Sequence, residues 1–131
     1  MEHAFSLGAS GIQVGTKFIP TEECDANIRY KETYLNVDKD DLLIIKSPVG
    51  MPGRAIKNKL IEETLEGRIP IKRCSRCIKT CNPATTPYCI TDALIEAAKG
   101  DVDNGLLFSG ANIEKQSKIR TVKEVLGDFF F

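Results

Sequence analysis

Four of the five cysteines, Cys74, Cys77, Cys81 and Cys89, fall within sixteen residues as C-x2-C-x3-C-x7-C, while Cys24 stands apart. Four thiolates so spaced lie within one loop's reach and could hold zinc tetrahedrally or an iron–sulfur cluster. Zinc knuckles usually use paired C-x2-C units, and here only Cys74 and Cys77 form one. Arg73, Arg76 and Lys79 would partly neutralise such a site and lower the thiol pKa values. The same pattern is open to two other readings, reduced thiols with Cys89 packing under the following helix, or a disulfide. The opening segment MEHAFSLGAS carries an acidic residue and no apolar core of signal-peptide length, so the expected location is cytoplasmic. In that compartment clustered cysteines point to metal or redox chemistry before a disulfide framework.

A second candidate is the run Gln13-Val14-Gly15-Thr16. A glycine lets backbone N–H groups approach an anion, a threonine hydroxyl adds a donor, and a helix starting just beyond contributes positive potential. Taken alone the run is weak, because a strand ending in Gly-Thr before a helix is also common as plain architecture. The single histidine, His3, sits near the start of the chain and reads as a solvent-exposed residue rather than a catalytic base. Glu22 and Glu23 read as a first helical turn matched to the helix dipole, not an acid/base pair. Arg54 and Lys57 lie beside SPVGMPG and read as a solvated helix face or, less simply, as contacts to an anion. Asp101, Asp103 and Asn104 do not fit the spacing of a calcium loop and read as a helix-ending turn.

The chain that must position these groups has 131 residues, 42% hydrophobic and 27% charged, the composition of one folded domain. Lys plus Arg and Asp plus Glu are both 18, so there is no electrostatic case for nucleic acid. No apolar run has the length of a membrane span. Residues 2–8 read as the last turns of a helix ending at Gly8, and residues 11–19 alternate with the period of a strand. Thr21 is the expected N-cap of a helix to about Asn36, with Ile28, Lys31 and Leu35 along one stripe. Leu42 to Ile45 is a short apolar strand, SPVGMPG a structured loop, and Arg54 to Glu66 an expected helix with Ile56, Leu60, Ile61, Thr64 and Leu65 inward. The cysteine segment is expected to be mostly loop. A helix from Ile90, with Ala93, Leu94, Ala97 and Ala98 inward, should stop at Gly100, followed by a turn region from Gly105 to Asn112. Thr121 and Glu124 form the T-x-x-E capping box of a last helix, and Phe129 to Phe131 make an apolar end expected to dock on other helices or a partner chain.

Four separated stretches in order, LGASGIQVGTKFIPTEECDA, IIKSPVGMPGRAIKNKL, CIKTCNPATTPYCI and GDVDNGLLFSGAN, resemble the C-terminal part of the nitronate monooxygenases, formerly 2-nitropropane dioxygenases. These are relatives of the flavin-dependent enoyl-acyl-carrier-protein reductases. The resemblance covers nearly the whole chain. It implies an α/β fold, the C-terminal fragment of a TIM (β/α)8 barrel contributing the last barrel strand, with a mostly helical C-terminal extension. It further implies FMN, whose phosphate would meet backbone at Gly15 and Thr16, with Gln13 on the same strand. Residues 1–36 would end the barrel, 37–70 would belong to the small capping domain, and 71–131 would carry the cysteine loop and C-terminal helices. A whole barrel needs about 250 residues, so most flavin contacts and the family's catalytic histidine would lie upstream of Met1.

The reading that results is part of an FMN-dependent oxidoreductase that oxidises nitronates or nitroalkanes, its substrate a small molecule. The isolated chain is expected to be inactive, completed by a missing N-terminal barrel part or by homo-oligomerisation. Two rivals remain. One is an NAD(P)H-dependent enoyl-acyl-carrier-protein reductase on the same scaffold, and the other is a non-enzymatic module held together by metal at Cys74, Cys77, Cys81 and Cys89.

Overall fold

The computed structural model describes residues 2–111, 113 and 117–129. Five α-helices and one two-stranded sheet are placed in chain order: α1 (Glu2–Ser6), α2 (Ile28–Asn36), β1 (Leu42–Lys46), β2 (Pro52–Ile56), α3 (Lys59–Glu66), α4 (Ile90–Lys99) and α5 (Val122–Gly127). Single 3-10 turns lie at Thr16–Phe18 and Lys39–Asp41.

The hairpin organises the core. β1 and β2 pair antiparallel, with Leu43 opposite Ala55 and Ile45 opposite Gly53. The SPVGMPG segment is therefore not a free loop. Its last two residues, Pro52 and Gly53, begin β2, and the reversal occurs at residues 47–51, where Gly50 adopts a φ of +86°. The chain returns along the far edge of β2, where Ile56 N–H donates to the Leu107 carbonyl at 2.9 Å and Ser109 N–H to the Arg54 carbonyl at 3.0 Å. Gly53 allows this close approach, because a Cβ there would meet the Phe108 ring at 2.5 Å.

Side chains on an extended chain alternate between faces, and here the alternation divides two cores. Ala55 and Leu106 point into one cluster with Ile45, Leu60, Ile61, Tyr88, Ile90 and Ala93. Their neighbours Ile56 and Leu107 enter the other, with Tyr34, Ala97 and Ile113. Helix α4 spans both, Ile90 and Ala93 serving the first and Ala97 the second. Leu94 and Ala98, expected inward, lie on its open side. Gly100 ends α4 in the left-handed conformation at φ +103°, as a helix-stopping glycine should.

Several elements differ from the sequence reading. Residues 11–15 form no strand, because no described segment pairs with them, and an alternating pattern becomes a strand only with a ladder partner. Thr21 does not cap α2. It is buried, its hydroxyl donates to the Phe18 carbonyl at 2.8 Å, and its backbone bridges to Arg120. The cap is Asn27, whose side chain accepts from Arg29 N–H at 3.0 Å, and the buried residues of α2 are Lys31 and Tyr34. Ile28 faces outward. The helix expected from Arg54 begins only at Lys59, since Arg54 to Ile56 are taken by β2. Leu65 accordingly is exposed.

Glu23 has a role the sequence did not signal. Its carboxylate accepts from Val122 N–H at 2.8 and 2.9 Å, supplying negative charge to the first turn of α5 rather than of α2. The capping box is present as expected, with Thr121 Oγ1 accepting from Glu124 N–H at 3.2 Å and Glu124 accepting from Thr121 N–H at 2.7 Å. The turn at 101–104 is also as read, with the Asp101 carboxylate accepting from the Asn104 backbone and side chain. Phe129 packs under the Lys17 ammonium, 5.2 Å from the ring centroid. Phe130 and Phe131, and Asn112 at the end of the expected turn region, lie outside the described residues.

Candidate functional site

Gln13, Gly15 and Thr16 fall on one exposed corner. Gln13 and Gly15 are exposed and Thr16 half-buried. Gly15 precedes the 3-10 turn Thr16–Phe18, and its carbonyl accepts from Phe18 N–H at 2.9 Å. Its φ is −116°, so no left-handed strain explains the glycine there. A Cβ on Gly15 would meet no atom within 4 Å, so the side of the backbone that glycine leaves bare is open. None of the N–H groups of Gly15, Thr16 and Lys17 donates to another described backbone carbonyl.

Thr16 Oγ1 accepts a hydrogen bond from Gly110 N–H at 2.8 Å, across 94 residues. Accepting leaves the hydroxyl proton free to donate outward. Lys17, by contrast, turns away to Asp128 at 3.1 Å. Arg120 holds the same carboxylate with two contacts of 2.8 Å. These cations, through their hydrogen bonds, hold Asp128 well below the usual carboxylate range. Gly110 belongs to this corner, whereas the sequence placed it only within the turn region from Gly105 to Asn112 and the stretch GDVDNGLLFSGAN that carries part of the resemblance. His3 is exposed on α1, and Lys57 is paired with Glu62 at 3.5 Å.

A second site is formed by the cysteine segment, which is loop as expected. Cys74, Cys77, Cys81 and Cys89 all line one cleft of about 510 Å³, with Arg76 and Lys79 beside them. Gln13, Gly15 and Thr16 do not line it. All four thiols are free, Cys74 and Cys77 exposed and Cys81 and Cys89 half-buried. Among the described residues no three Cys, His, Asp or Glu side chains are already gathered in a metal-holding arrangement. Cys77 Sγ lies 2.9 Å from Thr91 Oγ1, and Cys74 Sγ accepts from Arg76 N–H at 3.4 Å. Burial pushes the Cys89 thiol pKa up, against the opposing pull of backbone N–H groups at Thr91 and Asp92.

The family model for nitronate monooxygenase matches residues 1–130. The chain belongs to the nitronate monooxygenase family. A probable nitronate monooxygenase from Staphylococcus haemolyticus is 38% identical over 66 residues, which cover 49% of this chain and 18% of that protein. Its counterpart from Staphylococcus aureus strain Newman is 36% identical over 66 residues, 49% of this chain and 19% of the relative. The match thus spans about a fifth of these relatives. Among solved structures, FabK from Thermotoga maritima superposes with a TM-score of 0.74 at 25% identity, over 95% of this chain and 37% of that one. A single-residue variant of the same protein gives 0.69 at 22% identity, over 98% and 35%.

This family member is an α/β chain with helices around a small antiparallel sheet. Among the described residues no helix is long and apolar enough to cross a membrane.

Proposed function

We propose that this chain is the C-terminal portion of an FMN-dependent oxidoreductase that oxidises nitronates or nitroalkanes with oxygen, and that Gly15 and Thr16, with Gln13, contact the flavin phosphate. In this reading residues 1–36 form the end of a flavin-binding barrel, 37–70 a capping segment, and 71–131 the cysteine loop and C-terminal helices. The observation that carries the phosphate assignment is the open side of Gly15, flanked by backbone N–H groups that donate to no other described backbone carbonyl.

The corner fits a phosphate chemically. An anion needs several donors converging without a side chain in the way, and Gly15 supplies the clearance. The Thr16 hydroxyl supplies a donor whose oxygen is fixed from behind by Gly110 N–H. That link also ties the N-terminal segment to the strand-like stretch at 107–109, so the corner is held by the hairpin core rather than by a free terminus. Bound FMN would supply the electron acceptor, and the part of these residues is to bind and orient it. A negatively charged or polarisable small substrate is then met by residues outside this corner.

Flavin fluorescence titration tests the assignment. Gly15→Ala has ordinary backbone geometry and open space, so the fold should keep its unfolding midpoint. FMN affinity should fall about tenfold, the worth of one charge-assisted contact. Riboflavin, which lacks the phosphate, should bind both proteins alike. Equal FMN affinity for the two proteins would overturn the phosphate site. Oxygen uptake with a nitronate, set against NAD(P)H oxidation with an enoyl thioester, checks the reaction class in the protein that carries this chain.

A further inference from the structure

The four clustered thiols are not absorbed by the flavin reading, and their placement supports a separate function. We propose that Cys74, Cys77, Cys81 and Cys89 form a site for one thiophilic divalent ion of the zinc type, assembled when the ion draws the loop onto the first turn of α4. All four line the same cleft. The two ends of the set are differently held. Cys89 occupies the N-cap position of α4, a ten-residue helix, and Cys77 already touches Thr91 in that helix's first turn. The other part is less tied, because residues 70–77 make no backbone–backbone hydrogen bond to any described residue.

Local geometry at the C-x2-C pair favours a metal knuckle. Arg76 is the one described non-glycine residue with a positive φ, 52°, and its N–H points back to Cys74 Sγ at 3.4 Å. A left-handed residue between two cysteines costs conformational energy, and here it folds the C-x2-C turn back so that a backbone N–H meets the first sulfur. Charge is balanced as well. Four thiols binding one dication lose their protons to solvent and leave a doubly negative centre, which Arg76 and Lys79 in the cleft wall offset. The unassembled arrangement is what coupled binding and ordering requires, since the four thiols share one cleft while no three described ligand side chains are yet gathered around a single point. A single ion suits the site better than a cluster, because Cys74 and Cys77 are exposed and would leave bridging sulfide open to solvent and oxygen.

The test is anaerobic titration of the reduced, metal-free chain with cobalt(II). The expected result is the intense visible spectrum of a tetrahedral cobalt thiolate, saturating at one ion per chain, reversed by zinc and accompanied by proton release. Cys74→Ser and Cys81→Ser should each weaken cobalt binding roughly tenfold or more, and Cys24→Ser should leave it unchanged. If a serine variant fails to fold, the wild-type chain decides. Zinc should protect Cys74, Cys77, Cys81 and Cys89, and not Cys24, from alkylation mapped by mass spectrometry. No cobalt thiolate spectrum, protection that includes Cys24, or a purified chain carrying iron and acid-labile sulfide would each overturn the proposal. Flavin binding is unaffected by any of these results, so failure here is distinguishable from failure of the phosphate site.

Discussion

Asn58 closes three loose ends with one amide, and its substitution separates local from tertiary contributions. Its Oδ1 accepts from Ile61 N–H at 3.1 Å, capping α3. Its Nδ2 donates to the carbonyls of Val102 and Gly105, both at 2.7 Å. Capping preferences alone rank Asn and Asp equal, so Asn58→Asp should be silent if the cap were the whole role. The structure requires otherwise. The new carboxylate can still cap, but it loses both donations and faces two carbonyl oxygens. Two lost hydrogen bonds at about 0.5–1.5 kcal/mol each give a loss of about 1–3 kcal/mol, before any repulsion is added. Asn58→Ala forfeits the same two bonds and the cap, worth about 1 kcal/mol more, for a total of about 2–4 kcal/mol. Urea unfolding followed by far-ultraviolet circular dichroism reads both as shifts in midpoint at constant slope. The introduced carboxylate should also titrate above its ordinary range, so its deficit narrows as the pH is lowered and it regains a proton to donate. An Asn58→Asp protein within about 0.5 kcal/mol of wild type, the usual scatter of surface changes, would refute the reasoning.

Two further outcomes follow from the same accounting. Tyr34 is fully buried and its hydroxyl donates to the Phe108 carbonyl at 2.7 Å, whereas the buried Tyr88 hydroxyl has no partner among the described residues. Tyr34→Phe should therefore cost about 1–3 kcal/mol by orphaning a carbonyl, and Tyr88→Phe should be neutral or stabilising, both measured by thermal or urea unfolding. Equal effects at the two positions would be the contrary result. Asp128 is held below its ordinary pKa by Arg120 and Lys17, so its stabilising contribution is present above the unfolded value of about 3.9 and is lost as the pH falls below it. Asp128→Asn should flatten the acid limb of stability against pH in that window, and an unchanged limb would show that the pair does not anchor α5.

How much of this was legible depended on how local the determining interaction is. The Thr121–Glu124 capping box, the Gly100 stop, the Gly8 turn, where φ is +88° and the N–H donates to the Phe5 carbonyl at 2.9 Å, and the Asp101–Asn104 turn were readable, because each is closed by residues within a few positions. The ends of α2 and α3 were misplaced for the opposite reason. Pro20 to Glu23 have the composition of a helix start, but Thr21 is bridged to Arg120 and Glu23 is spent on α5, both about a hundred residues away. Arg54 to Ile56 would suit a helix, and they are strand because β1 on one side and residues 107–109 on the other both offer backbone partners. At the candidate phosphate corner the residue types Gly15 and Thr16 were visible, while Gly110 was not, since nothing in a linear pattern joins positions 94 apart.

The sequence alone carried the family through four ordered stretches, the two candidate sites through residue type and spacing, and those turns and caps whose energy is local. Only the tertiary structure decided that 52–56 is strand and that Leu106 and Leu107 serve different cores. It alone oriented Thr16 through Gly110 and brought the four thiols to one cleft at the head of α4. Local propensities amount to tenths of a kcal/mol per residue, about 0–0.7 for ordinary helix positions. A buried backbone group left without a partner costs about 1–3 kcal/mol. Where the two disagree, as at Arg54 to Ile56, the long-range partner wins.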